Sequence, residues 1–127
     1  MKNKIISLES CGLQINSSYP NCNQTELFVF CNNSLNRILF NCDHINEIET
    51  IDLYDNYIDE IPKEIEKFKK LKRINLSSNL LESINTFLFG LKELQIILLI
   101  DNQINYISHG ISNLENLKIL NISNNKI

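Results

Sequence analysis

The chain has 127 residues, of which 43% are hydrophobic and 21% charged, an ordinary balance for one globular domain. Its formal net charge of −3 excludes a strongly basic surface for nucleic acid and a polybasic patch for an anionic membrane. Asn and Ile are abundant, so one Asn or one Ile indicates little by itself.

The N-terminal segment shows no recognisable leader. Its apolar residues Ile5, Ile6 and Leu8 are interrupted by polar ones, whereas a secretory signal needs roughly 7–15 apolar residues. The longest apolar run, 96–100, is too short to span a bilayer. We therefore predict neither a signal peptide nor membrane insertion, unless the chain is a fragment that has lost its leader.

The cysteines are confined to the first third of the chain, at Cys11, Cys22, Cys31 and Cys42. An even number is compatible with two disulfides. No CxxC pair occurs, so a zinc site is not predicted. Two interpretations of the four cysteines stay open at this point: they form two disulfides, or they are buried or half-buried free thiols.

A 23-residue repeat dominates the sequence. An Asn recurs with this period at Asn33, Asn56, Asn79, Asn102 and Asn125. Apolar residues recur in register before and after each Asn; in one unit they are Leu71, Ile74, Leu76 and Leu81. A weaker first unit, one residue shorter, has Cys11 in the Asn position. The predicted units of this single domain are 3–24, 25–47, 48–70, 71–93, 94–116 and an incomplete 117–127.

Each unit reads L-x-x-L-x-L-x-x-N-x-L with apolar substitutions, which resembles the leucine-rich repeat over essentially the whole chain. The unit length and Ile61-Pro62 are similar to the typical short-repeat subclass. The resemblance implies an α/β fold, a right-handed solenoid or horseshoe. Short parallel strands would line its concave face, and short helices or 3-10 turns its convex face. It specifies an architecture rather than a function, because the family is a generic binding scaffold.

The spacing has a physical explanation. Alternating apolar residues place one side of each short strand in a core, and stacking of units completes that core. After the strand the chain turns inward, and an Asn amide donates and accepts hydrogen bonds there. We expect this Asn to tie the turn of its own unit to the next.

The segments between strands differ along the chain. Residues 62–70 are predicted to form a short helix with Pro62 in its first turn. Residues 85–90 and 108–116 are expected to be shorter and more turn-like. The last unit lacks a return half and a polar cap, which favours a fragment of a longer protein. The alternative is end-to-end association through the uncapped C-terminus.

The resemblance implies that partners bind at the outward strand positions of the concave face. One cluster there is polar and comprises Asp52, Tyr54, Asp55 and Arg73. The other is apolar and comprises Ile96, Leu98, Ile100 and Ile119. Contiguous exposed apolar surface marks partner sites. The alternatives are an ordinary solvated face for the polar cluster, and cover by a missing C-terminal part or simple Ile abundance for the apolar one.

No catalytic constellation is visible. The three glycines are isolated, so no phosphate-binding loop is formed. His44 and His109 fall in different units, and neither forms a nucleophile arrangement with a Ser or Cys. We predict that the protein is not an enzyme and uses no cofactor, metal or small-molecule substrate.

Five N-glycosylation sequons bear on the cellular compartment of the protein. Two of them, at Asn75 and Asn121, lie mid-strand on the proposed binding face, where a glycan would obstruct a partner. This favours the cytoplasm. The N-terminal cysteine cluster keeps an extracellular setting as the alternative.

The leading functional prediction is a non-catalytic protein–protein interaction module that binds a macromolecular partner through its concave strands. The alternative is a non-catalytic recognition arm of a larger receptor or multidomain enzyme.

Overall fold

The computed structural model describes residues 45–127 and, as backbone only, the strands Ile5–Ile6 and Glu26–Val29. These residues contain one parallel sheet whose strands follow chain order. The strands are β1 Ile5–Ile6, β2 Glu26–Val29, β3 Thr50–Asp52, β4 Arg73–Asn75, β5 Ile96–Leu98 and β6 Ile119–Asn121. The predictions for the four cysteines, His44 and Asn33 lie outside the described residues.

The strand register confirms the repeat length in the second half of the chain. Thr50 pairs with Arg73, Arg73 with Ile96, and Ile96 with Ile119, each 23 residues apart. The offset is one residue longer between β2 and β3, where Glu26 pairs with Thr50. Between β1 and β2 the offset is again 23, with Ile5 opposite Phe28, rather than the shorter first unit expected. The repeat boundaries themselves stay a prediction.

The return segments are 3-10 helices wherever the described residues form a helix: Ile45–Glu47, Lys63–Lys67, Leu88–Gly90 and His109–Asn113. The helix expected over 62–70 was therefore predicted too long, and Pro62 only precedes it. The expectation of a shorter turn after 108 was also wrong, because the helix His109–Asn113 is five residues long, as is Lys63–Lys67.

Apolar spacing explains the choice of 3-10 geometry. The side chains of Ile65, Phe68 and Leu71 are buried and three residues apart. That period equals one turn of a 3-10 helix, whereas an α-helix needs 3.6 residues per turn. The amides of Phe68 and Leu71 donate to the carbonyls three residues earlier, at 3.1 and 3.0 Å.

The core lies between the sheet and the 3-10 helices. Ile51, Ile74 and Ile97, the middle residues of β3, β4 and β5, are 0% exposed. They pack with the return-segment residues Phe68, Leu91 and Leu114 and with the columns that flank each strand. The column following the Asn residues, Ile58, Leu81 and Ile104, is also buried and closes the core beyond the turn.

A ladder of Asn side chains connects the coils. The Asn79 side chain donates to the carbonyls of Leu76 and Ser77 in its own coil, at 2.9 and 3.1 Å. It also donates to the carbonyl of Leu53 at 3.0 Å and accepts from the Ile58 amide at 2.9 Å. Asn102 and Asn125 repeat this arrangement.

The direction of these links differs from the expectation. Leu53 and Ile58 belong to the coil before Asn79, so each Asn ties its own turn to the preceding unit rather than to the next. The Leu53 carbonyl and the Ile58 N–H lie beyond the end of β3, and the Asn79 amide supplies hydrogen bonds to both.

Candidate partner-binding face

The strands β3 to β6 each turn outward-facing side chains away from the core. We call the surface formed by these side chains the open sheet face; it corresponds to the concave face expected from the sequence. In β3, β4 and β5 the middle residue is buried and both neighbours are half-buried. Parallel register therefore aligns the outward residues in columns, with adjacent strands about 4.8 Å apart.

The polar cluster predicted from the sequence lies on and just after β3, with Arg73 on β4. Tyr54 is 53% exposed, and Asp55 is exposed at the turn that follows it. Arg73 pairs with Thr50 across the sheet. Within the described part of the chain its guanidinium makes no ion pair, whereas the adjacent Lys72 binds Glu49 at 3.0 Å.

The apolar cluster lies on β5 and β6. Ile96, Leu98 and Ile100 are half-buried on the open sheet face, while Ile97 and Leu99 between them are fully buried. Ile119 is 48% exposed and pairs with Ile96 across the sheet. β5 is thus apolar on both faces, and the outward row continues onto β6.

A second role for Asp52 was missed by sequence reasoning. Its Oδ1 accepts a hydrogen bond from the Tyr54 amide at 3.0 Å. Asn75 and Asn121, in the same column, cap the amides of Ser77 and Ser123 in the same way at 3.0 Å. An Asp or Asn two residues before a turn amide is a recognisable signal for such a cap.

Leu98 interrupts this capping column. Without an acceptor at that position, the Ile100 amide donates instead to the Ser77 hydroxyl of the preceding coil, at 3.1 Å. Ser77 is only 4% exposed, so its outward position in the sequence pattern did not reveal this contact. An apolar side chain on the open sheet face is therefore accommodated by a hydrogen bond from the neighbouring coil.

The turns after β3, β4, β5 and β6 repeat one backbone conformation. Asp55, Ser78, Asp101 and Asn124 all have φ of 58–59°, in the left-handed region. Asp and Asn tolerate this region better than most residues, which suits three of the four positions. The turn conformation fixes Asp55 beside Tyr54 at the rim of the open sheet face.

Beyond the turn, a shallow groove lies on the flank of the solenoid. Asp59, Glu60, Leu80, Glu82 and Ser83 line it. Tyr57, one residue after Asn56, is 73% exposed near it. The sequence pattern did not single out this groove, because its residues come from turns whose side chains follow no apolar period.

Two other kinds of site were sought among the described residues. Among them, no three His, Cys, Asp or Glu side chains are grouped so that they could hold a metal ion. No helix in this part of the chain is long and apolar enough to cross a membrane. His109 is exposed at the start of its 3-10 helix.

Solved structures with the same fold come from bacteria and plants. A leucine-rich-repeat protein of Leptospira interrogans has a TM-score of 0.66 and 26% identity, over 82% of this chain and 25% of its own. The BIR3–SERK2 complex of Arabidopsis thaliana has a TM-score of 0.59 and 28% identity, over 69% of this chain and 47% of its own. The plant peptide hormone receptor RGFR1 in complex with RGF2 has a TM-score of 0.64 and 26% identity, over 98% of this chain and 19% of its own. The chain thus spans less than half of each of these three chains.

Sequence comparison gives the same assignment. No curated protein matches the chain. The family described as leucine rich repeat matches residues 46–104 and again 69–127, together more than half of the chain. This family is generally a non-catalytic protein-interaction fold. Since the family match, the 23-residue register and the Asn ladder agree, the chain belongs to the leucine-rich-repeat family.

Proposed function

We propose that this chain is a non-catalytic module that binds a partner protein on the open sheet face. The observation that carries the proposal is the outward apolar row of the half-buried Ile96 and Leu98 and the exposed Ile119, since contiguous apolar surface that water can reach favours burial by a partner. Tyr and Arg are residue types that often anchor interfaces. Arg73 lies on the adjacent strand β4, and Tyr54 follows the end of β3, one strand further along the sheet.

The solved relatives support a protein partner. Two of the matched structures are protein complexes, one of BIR3 with SERK2 and one of a receptor with RGF2. Each uses the same coil architecture as this chain, at 28% and 26% identity.

The test is affinity capture from the native source with variants of the open sheet face. Arg73→Glu and Leu98→Asp should each lose the captured partner, because one reverses a charge and the other removes apolar contact. Leu98→Asp should fold, since Asp52 occupies the same column on β3 and caps a turn amide. Lys69→Glu, at an exposed position after the 3-10 helix, is the control. Unchanged capture by both face variants would overturn the proposal.

A second candidate is that the module serves as the recognition arm of a larger receptor or multidomain enzyme. It is favoured by the share of each relative that the chain covers, from 19% to 47%. The mass of the native gene product decides this: a product of 127 residues without further domains contradicts the arm.

A further inference from the structure

The open sheet face changes its chemistry from strand to strand. The β3 end carries Asp52, Tyr54 and Asp55, and β5 carries the apolar Ile96 and Leu98. Arg73 on β4 is the charged outward residue between them. A partner that complements this order needs a cation at one position and an apolar side chain at another, in fixed separation.

The charge balance places that cation over β3. Glu49 is already paired with Lys72 at 3.0 Å, so it contributes little net charge. Asp52 uses one carboxylate oxygen to accept from the Tyr54 amide, and its other oxygen has no protein donor in the described chain. Asp55 is exposed in the turn three residues later. A Lys or Arg of the partner would meet two carboxylates here.

The spacing of the strands indicates the backbone conformation of the partner. β3 and β5 are two strand intervals apart, which is about 9.6 Å. In a polyproline II helix, residues three apart point to the same side and are separated by about 9.3 Å. A β-strand instead puts same-side residues about 6.6 or 13 Å apart, so it matches this interval poorly.

We propose that the open sheet face binds an extended polyproline II segment of a partner protein, with Lys or Arg over Asp52 and Asp55 and Leu or Ile three residues away over Leu98. This rests on the proposed function. Tyr54, more than half exposed at 53%, supplies an aromatic surface for proline rings. Arg73 lies on the intervening strand β4, two residues before Asn75, which is the residue in register between Asp52 and Leu98. Its guanidinium donates to backbone carbonyls of the segment, which have no internal partners in this conformation.

The first test uses synthetic fluorescein-labelled proline peptides that carry one Lys and one Leu. In one peptide they are three positions apart, in a second two apart, and in a third the first spacing is kept with Glu replacing Lys. Fluorescence anisotropy should show the first peptide binding about tenfold more tightly than the other two, since each loses one anchor. Its binding should weaken as salt rises.

The second test uses variants that borrow residues from neighbouring coils. Leu98→Asn and Asp52→Asn both place in the capping column the residue found at Asn75 and Asn121, so both should fold. Leu98→Asn should weaken the first peptide about tenfold, because an apolar contact is lost. Asp52→Asn should weaken it about threefold, as expected for an exposed ion pair. Lys69→Gln should leave it unchanged.

Equal affinity for the two spacings, or no binding of any peptide, would overturn the polyproline II segment as the ligand. This failure is distinct from failure of the proposed function. If the partner captured from the native source is still lost with Leu98→Asp while the peptides do not bind, the open sheet face binds a protein of another shape.

Discussion

The capacity of Asn79 to donate and accept at once explains why Asn recurs at its position. Its Nδ2 serves the carbonyls of Leu53, Leu76 and Ser77, and its Oδ1 accepts from the Ile58 amide. A carboxylate could not donate, and a Leu would satisfy none of these groups. Because Asn79 is only 5% exposed, water does not readily replace the lost bonds.

A less obvious residue pair is Ser77 and Leu98. The Leu98 side chain cannot cap the Ile100 amide, and the Ser77 hydroxyl accepts from it at 3.1 Å instead. The two positions are therefore coupled: an acceptor at 98 would make the hydroxyl at 77 redundant. Such coupling is measurable as an interaction energy between two substitutions.

We predict that Ser77→Ala lowers the free energy of unfolding by about 1 kcal/mol, because the Ile100 amide loses its acceptor. In the Leu98→Asn background the same substitution should cost roughly half as much or less, since the new amide oxygen caps Ile100 as Asn75 caps Ser77. Urea unfolding of the four proteins measures both values. Equal costs in the two backgrounds would contradict the coupling.

At the scale of elements, the strands were predictable and the helices were not. The period of two around Ile51, Ile74 and Ile97 identifies the buried side of each strand, because alternate side chains leave a strand on opposite faces. Over 62–70 the apolar residues fit either helix type over one turn. Only the strict spacing of three through Leu71 favours 3-10 geometry, and that depends on packing against neighbouring coils.

On the open sheet face, too, some features were predictable from the sequence and others were not. The outward placement of Asp52, Tyr54 and Ile96 followed from the strand period alone. The capping role of Asp52 and the burial of Ser77 did not, because both depend on how the turn and the next coil are positioned. The groove lined by Leu80 and Glu82 arises from turn residues without a period, so no sequence pattern could indicate it.

Packing between two return segments depends on a glycine. A Cβ on Gly110 would lie 2.5 Å from Cδ2 of Phe89, which is itself 3% exposed. We predict that Gly110→Ala lowers the free energy of unfolding by about 1–3 kcal/mol, the range for overpacking a filled core. Thermal or urea unfolding measures the change.

Gly90 is the matched control, because a Cβ there meets nothing within 4 Å. Gly90→Ala should be neutral, or stabilising by up to about 1 kcal/mol through the unfolded chain. A Gly110→Ala protein as stable as Gly90→Ala would show that Phe89 moves aside without cost.

For the whole molecule, the stability of each coil depends on its contacts with the coils next to it. The interior coils are covered on both sides, and Leu94, Ile97 and Leu99 are fully buried. The matching residues of the last coil, Leu117, Leu120 and Ile122, are only partly buried, although they pack on the same core. End-to-end association through the last coil stays a prediction. The lower burial of this coil has a direct consequence for amide hydrogen exchange.

We predict that amide protection alternates within the last coil. The Ile119 amide donates to the Gln95 carbonyl at 3.0 Å, toward the interior. In the preceding coil the Leu99 amide donates to Asn121 at 2.8 Å, but the corresponding amide of Ile122 faces no further strand in the described chain. By native-state hydrogen exchange, Ile122 should therefore exchange about 100-fold or more faster than Leu99, while Ile119 remains protected.

If Ile119 exchanged as fast as Ile122, the last coil would open as one unit, and its edge amides would not be distinguished by their bonds. If Ile122 were as protected as Leu99, another strand would cover β6 in solution.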